Sequence, residues 1–382
     1  MAHSIKANLS QTAFPEEGGE TECRIEIDPD TAQTEQLPLH IVFCVDKSGS
    51  MSGSEISQAK TGVENAMSKL NSRDKFGVVA FDNEAEVVVH PTSGSQASST
   101  NLGSISAGGG THIINGLEKS RELLESMGGG VIGSSNERAV KWIALVTDGN
   151  PSDISSSLST LISGFTGSNF GGAVEKHGAV GETLNNQGIT VNTAGVGTSY
   201  GENIIEAISV RSGGTWEHHS SASGIETFFK NKITEAHNVV VTNPTLRFTP
   251  KNGVGVRDVK RTVPQIAEVE YEQNAGEYIV TDFPDIRRDI SPEYIFDLNI
   301  PAHEIDPDVT FAEVTLEIGS DVLSSRVSGE YTLDNEIARD MDTGIKTIKT
   351  ESETANNYLG KKDTYDKRTK EAESTAIARK RD

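Results

Sequence analysis

Two hydrophobic periods divide the chain. Between about residues 38 and 239 the apolar residues form short continuous runs that alternate with helical stripes. The runs are 39–45 (Leu39-His-Ile-Val-Phe-Cys-Val45), 76–81, 140–146 and 189–194. Between the first two runs, Ile56, Ala59, Val63, Ala66, Met67 and Leu70 share one face of a helix over 55–70. Residues 113–127, 173–186, 203–211 and 225–239 are helical too, and 86–90 and 214–217 are short strands, the first stopped by Pro91. Strands without polar alternation are buried on both faces. Alternating with helices, they predict a doubly wound, mostly parallel α/β sheet.

From residue 239 to residue 331 the period falls to two. Thr245-Leu-Arg-Phe-Thr249, Ala267-Glu-Val-Glu-Tyr271, Tyr294-Ile-Phe-Asp-Leu-Asn-Ile300 and Phe311-Ala-Glu-Val-Thr-Leu-Glu-Ile318 alternate apolar with polar, with turn residues between them. That pattern predicts an antiparallel β-sandwich. Residues 5–37 alternate in the same way, at Ile5, Ala7 and Leu9 and again over Thr21-Glu-Cys-Arg-Ile-Glu-Ile27. The expected organisation is therefore an α/β domain (38–237) inserted in a sandwich made of 1–37 and 238–332. A C-terminal helix and polar tail (333–382) would follow, with Ile337, Met341, Ile345, Ile348, Ala355 and Leu359 on one stripe.

Charge narrows the function. The 382 residues carry 56 acidic and 34 basic side chains, a net −22. Such a surface repels nucleic acid and anionic lipid, so neither is an expected partner. Residues 336–382 hold 10 acidic and 11 basic groups, so the tail is electrically distinct from the body. Two cysteines, Cys23 and Cys44, make no disulfide framework, and Cys44 lies in a buried run. The first residues lack the apolar core of a secretory leader and no run approaches 18 apolar residues, so the expected compartment is the cytoplasm.

Candidate chemistry gathers at strand ends. The first α/β strand ends in Asp46-Lys47-Ser48-Gly49-Ser50, and Ala107-Gly108-Gly109-Gly110-Thr111 precedes a helix. The strand 142–147 ends in Asp148-Gly149. Open α/β sheets bind ligands at the carboxyl edge. Two Asp, two Ser and one Thr delivered there are all hard oxygen donors, which suit Mg2+ or Mn2+ rather than zinc. Helix capping is the plainer explanation of each segment alone. Glu217-His218-His219 reads either as a metal patch or as an exposed strand end. Neither glycine run, 108–110 or 128–130, continues into a phosphate loop.

Over residues 38–237 these motifs resemble the von Willebrand factor A family. Asp46-x-Ser48-x-Ser50, Thr111 after a glycine-rich loop, and Asp148-Gly149 match its metal-ion-dependent adhesion site. The resemblance implies a central parallel sheet flanked by helices. It implies that Ser48, Ser50 and Thr111 touch the metal and that Asp46 and Asp148 act through bound water. The last coordination position would take a Glu or Asp carboxylate of a partner protein. The interrupted sandwich is similar to prokaryotic stand-alone members, and more distantly to inter-alpha-trypsin inhibitor heavy chains. The function this implies is non-enzymatic, metal-dependent protein binding, as a scaffold for an ATPase or other enzyme. A cell-surface adhesin and a metal-dependent hydrolase are the alternatives.

Overall fold

Alternation in the first thirty residues forms strands β1 (Ser4–Leu9), β2 (Ala13–Phe14) and β3 (Gly19–Asp28) in the computed structural model. It describes residues 3–32, 36–99, 101–128, 138–152, 172–197, 200–269 and 271–334, with Asp342 and Ile345. These fall into two compact units, one drawn from Met1–Thr34 and Asn243–Tyr365, the other from Glu35–Thr242.

The second unit carries β4 (Leu39–Asp46), α1 (Ser54–Met67), β5 (Lys75–Phe81), β6 (Ala85–Ser93), α2 (Ile113–Met127) and β7 (Val140–Thr147). After these come α3 (Ala173–Asn186), β8 (Thr190–Val196), α4 (Glu202–Arg211), β9 (Trp216–His219), α5 (Ser223–His237) and β10 (Val239–Val241). Six of its strands form one sheet in the order β6-β5-β4-β7-β8-β9. Every pair is parallel except the edge pair β5–β6. Strand β6 runs past Pro91, which an edge strand tolerates because one side of it needs no donor.

Burial on both faces explains the apolar runs. Along β4, Ile41, Phe43 and Val45 enter one core with Val63, Phe228 and Phe229, and Val42 and Cys44 enter the other with Leu117, Ile143 and Ile205. Phe43 meets Phe229 of α5 edge to face at 5.2 Å. Helix α2 lies so near the sheet that a Cβ on Gly116 would sit 2.6 Å from the Phe81 ring. Lys75 Nζ donates to the carbonyl of Met127 at 2.7 Å, satisfying an acceptor that the end of α2 leaves open.

The first unit continues with β11 (Thr245–Pro250), β12 (Gly255–Val263), β13 (Ala267–Glu268), β14 (Tyr271–Asn274) and β15 (Glu277–Val280). It closes with β16 (Ile286–Arg287), β17 (Glu293–Ile300), β18 (Asp306–Ile318) and β19 (Asp321–Tyr331). Two sheets result, in the orders β1-β3-β17-β12-β13 and β14-β15-β11-β18-β19-β2. Strand β3 is internal, paired with β1 on one side and with β17 from Glu293↔Glu26 to Ile300↔Gly19 on the other. Its Cys23, Ile25 and Ile27 are buried. Phe248 of one sheet stacks on Phe296 of the other at 4.5 Å, so the inner faces meet as in a sandwich. The stripe expected over residues 337–359 lies outside the described residues, apart from Asp342 and the buried Ile345.

Candidate metal centre

The parallel register of β4 and β7 pairs Val45 with Val146, so Asp46 and Thr147 stand side by side at the carboxyl edge. Asp46 is fully buried. Its Oδ1 accepts the Ser48 N–H at 2.7 Å, which curls the chain after the strand, and its Oδ2 accepts the Thr147 hydroxyl at 2.5 Å. Ser48 Oγ and Ser50 Oγ lie 3.1 Å apart, and Ser50 Oγ donates to Asp148 Oδ1 at 2.7 Å. Four of the five residues singled out in the sequence are thus joined in one hydrogen-bonded run.

Thr111 completes the group from another loop. A Cβ built on Gly149 would lie 2.8 Å from Thr111 Oγ1 and 3.4 Å from Ser50 Oγ, so the bare glycine leaves both hydroxyls facing one small space. Ser152 clasps the Thr111 main chain: its Oγ accepts the Thr111 N–H at 3.0 Å, and its own N–H donates to the Thr111 carbonyl at 2.8 Å. Asn83 Oδ1 accepts the Gly110 N–H at 3.0 Å from the opposite flank.

Electrostatics favour a cation here. Burial pushes the Asp46 carboxyl up to about 6 in spite of the hydrogen bonds from Thr147 and Ser48, and the Asp148 charge adds to the rise. Asp148 is also raised, by burial first and then by the charge of Glu55. Lys47 sits within the motif, but its ammonium pairs with Asp82 and Glu86. Among the described residues no three His, Cys, Asp or Glu side chains form a metal cage. The donors here are instead two carboxylates and three hydroxyls. An all-oxygen set with uncompensated negative charge fits a hard divalent cation.

Glu217-His218-His219 is neither an open strand end nor a cluster of three ligands. Glu217 binds Lys232 of α5 at 3.0 Å and His219 at 3.2 Å, while His218, on the opposite face of β9, meets the Tyr200 hydroxyl at 2.8 Å. Thr147, Ser152, Asn83, Asp82 and Glu55 also bear on the site, beyond the five residues of the motif. Only Thr147, directly before Asp148, carried a sequence signal, because a parallel register places it beside Asp46.

Comparison with known proteins bears on the family and the fold. Residues 41–150 match the family model for the von Willebrand factor type A domain. The protein sll0103 of Synechocystis sp. is 24% identical over 246 residues, 63% of this chain and 52% of its own length. Inter-alpha-trypsin inhibitor heavy chain H4 of Sus scrofa is 31% identical over 118 residues, 30% of this chain and 13% of its own. The chain therefore spans about half the length of the first relative and a small part of the second. A von Willebrand factor type A structure from Catenulispora acidiphila superposes with a TM-score of 0.75 at 17% identity, covering 93% of this chain and 79% of that one. The fold is shared with that structure, and the match to the von Willebrand factor type A family model is confined to residues 41–150.

Proposed function

We propose that this chain is a divalent-cation-dependent protein-binding module rather than an enzyme. Asp46, Ser48, Ser50, Thr111 and Asp148 would hold Mg2+ or Mn2+, and a Glu or Asp carboxylate of a partner protein would complete the site. The observation that carries this reading is the hydrogen-bonded run from Asp46 through Ser48 and Ser50 to Asp148, with both carboxyls raised by burial. When bound, the cation supplies positive charge and a coordination position for a carboxylate oxygen.

The chain's own residues supply the rest. Thr147 and the Ser48 N–H fix the Asp46 carboxylate, and Asp148 orients Ser50. Hydroxyls are neutral ligands and leave much of a cation's charge unquenched, so an acidic protein can still attract an acidic side chain locally. The Ser48 and Ser50 hydroxyls bond to each other and to Asp148, and no histidine or lysine in these bonds stands ready to take a proton, as a hydrolytic nucleophile needs.

Affinity capture from a lysate of the source cells tests the proposal. The expected result is a protein retained in Mg2+, released by EDTA and not retained by the Ser48→Ala variant. Retention that is the same in EDTA, or by Ser48→Ala, contradicts it.

A further inference from the structure

Thr111 stands apart from the other candidate ligands. Asp46 ends β4, Ser48 and Ser50 share the loop that follows it and Asp148 directly follows β7, whereas Thr111 follows a glycine run with little stiffness of its own. Its height above the sheet must be set by something else. Ser152 holds it on one side. On the other side stand Asn83, which accepts the Gly110 N–H, and Asp82, which directly follows β5.

Asp82 acts through both its side chain and its main chain. Its carbonyl accepts the His112 N–H at 2.9 Å, one residue beyond Thr111. Its carboxylate accepts the Glu84 N–H at 3.0 Å, closing the turn into β6, and pairs with Lys47 Nζ at 3.1 Å. Lys47 in turn accepts the Gly108 N–H on its carbonyl at 2.8 Å, and the neighbouring Gly49 N–H donates to the Gly109 carbonyl at 3.1 Å. Gly109 has φ +76 and passes directly over Asp82: a Cβ there would lie 3.0 Å from Asp82 Oδ2. The glycine loop is thus pinned at Gly108 by Lys47, at Gly109 by Gly49, at Gly110 by Asn83 and at His112 by Asp82, and the Lys47–Asp82 pair ties the first of these points to the last.

Resting on the reading that these five side chains hold a cation, we propose that Asp82 is a positioning residue for it. Through Lys47 and the 108–112 main chain it sets the distance of Thr111 from Ser48 and Ser50. Asp82 touches no reacting or bound group itself. A role confined to general stability would weaken every ligand alike. A positioning role through Thr111 makes Asp82 and Thr111 interdependent and leaves Ser48 independent.

The test is a double-mutant cycle read by Mn2+ calorimetry, with hydrogen exchange of the same variants in EDTA. Thr111→Ala and Asp82→Ala are each expected to weaken Mn2+ about tenfold, and the double variant little further, a coupling of at least fivefold. Ser48→Ala and Asp82→Ala should multiply. Asp82→Asn, which keeps an acceptor for the Glu84 N–H but not the charge for Lys47, should fall between wild type and Asp82→Ala. In EDTA, the Gly108 and His112 amides of Asp82→Ala should exchange at least fivefold faster, with those of β4 unchanged. Losses from Asp82→Ala and Thr111→Ala that simply multiply, or unchanged exchange at Gly108 and His112, overturn the proposal. Wild-type protein that binds no Mn2+ overturns the metal reading instead, and the exchange arm still decides the positioning role.

Discussion

The Thr147 hydroxyl donates to Asp46 Oδ2 at 2.5 Å, across the carboxyl ends of two neighbouring parallel strands. The bond satisfies half of a carboxylate that has no water-facing surface, and Gly149 N–H returns to the same hydroxyl at 3.3 Å. Thr147→Val keeps the shape and removes the donor. Leaving a buried acceptor short of a partner should cost about 1–3 kcal/mol. Urea unfolding in EDTA checks this, and a change within a few tenths of a kcal/mol would show the bond to be dispensable.

The raised carboxyls make stability without metal depend on pH in an unusual direction. Asp46 titrates near 6 in the folded chain against an ordinary 3.8. Between those values the folded state binds more protons than the unfolded one, so this group's contribution to stability falls as pH rises through the window, by about 3 kcal/mol in all. Asp148 moves the same way. A cation needs both carboxylates ionised, so its stabilising effect must grow over the same range. Thermal unfolding at pH 5 and pH 7, with EDTA and with Mn2+, should show the larger Mn2+-induced rise in Tm at pH 7. Equal rises at both pH values would contradict the assignment.

A second charged cluster acts in the opposite sense. Lys232 of α5 is almost wholly buried and holds Glu217 at 3.0 Å, Glu235 at 3.1 Å and the Thr215 hydroxyl at 3.0 Å. Burial would raise the Glu217 carboxyl, but the His219 hydrogen bond and the Lys232 charge outweigh it and hold it at about 2. Its stabilising contribution is present above the ordinary 4.5 and is lost as pH falls toward 2. Glu217→Gln leaves a buried ammonium half compensated and should cost about 3 kcal/mol at pH 7. Denaturant midpoints at pH 7 measure this. A variant as stable as wild type would mean that Glu235 suffices.

Much of this fold is legible in the sequence because burial dictates pattern. Runs such as Leu39 to Val45 are apolar throughout since both sheet faces are covered, and β3 alternates since only its Cys23, Ile25 and Ile27 side faces a core. Short strands such as β2, β13 and β16 leave no period to detect. At the site, Asp46, Ser48, Ser50, Thr111 and Asp148 stand out because chain position relative to strand ends is enough to gather them. Asp82, Asn83 and Ser152 do not, because their roles depend on strand order. Only when β5 lies beside β4 does the turn after Phe81 meet the loops of Lys47 and Gly109.

Strand β3 gives a test of the sandwich unit. It lies between β1 and β17, and Ile25 and Ile27 are wholly buried. Removing residues 1–28 would strip the inner face and leave β17 an open edge, so the truncated chain should aggregate. A soluble product with one cooperative unfolding transition would contradict the pairing.

The most direct measurement is a calorimetric titration of metal-stripped protein with Mn2+ at pH 7, on wild type, Ser48→Ala and Asp148→Ala. These side chains hang from loops at the sheet edge, so the variants should keep their folded circular dichroism. A cation held by Ser48 and Asp148 entails one Mn2+ per wild-type chain and at least tenfold weaker binding in each variant. Equal Mn2+ affinity in all three proteins, or no binding to wild type, would contradict it.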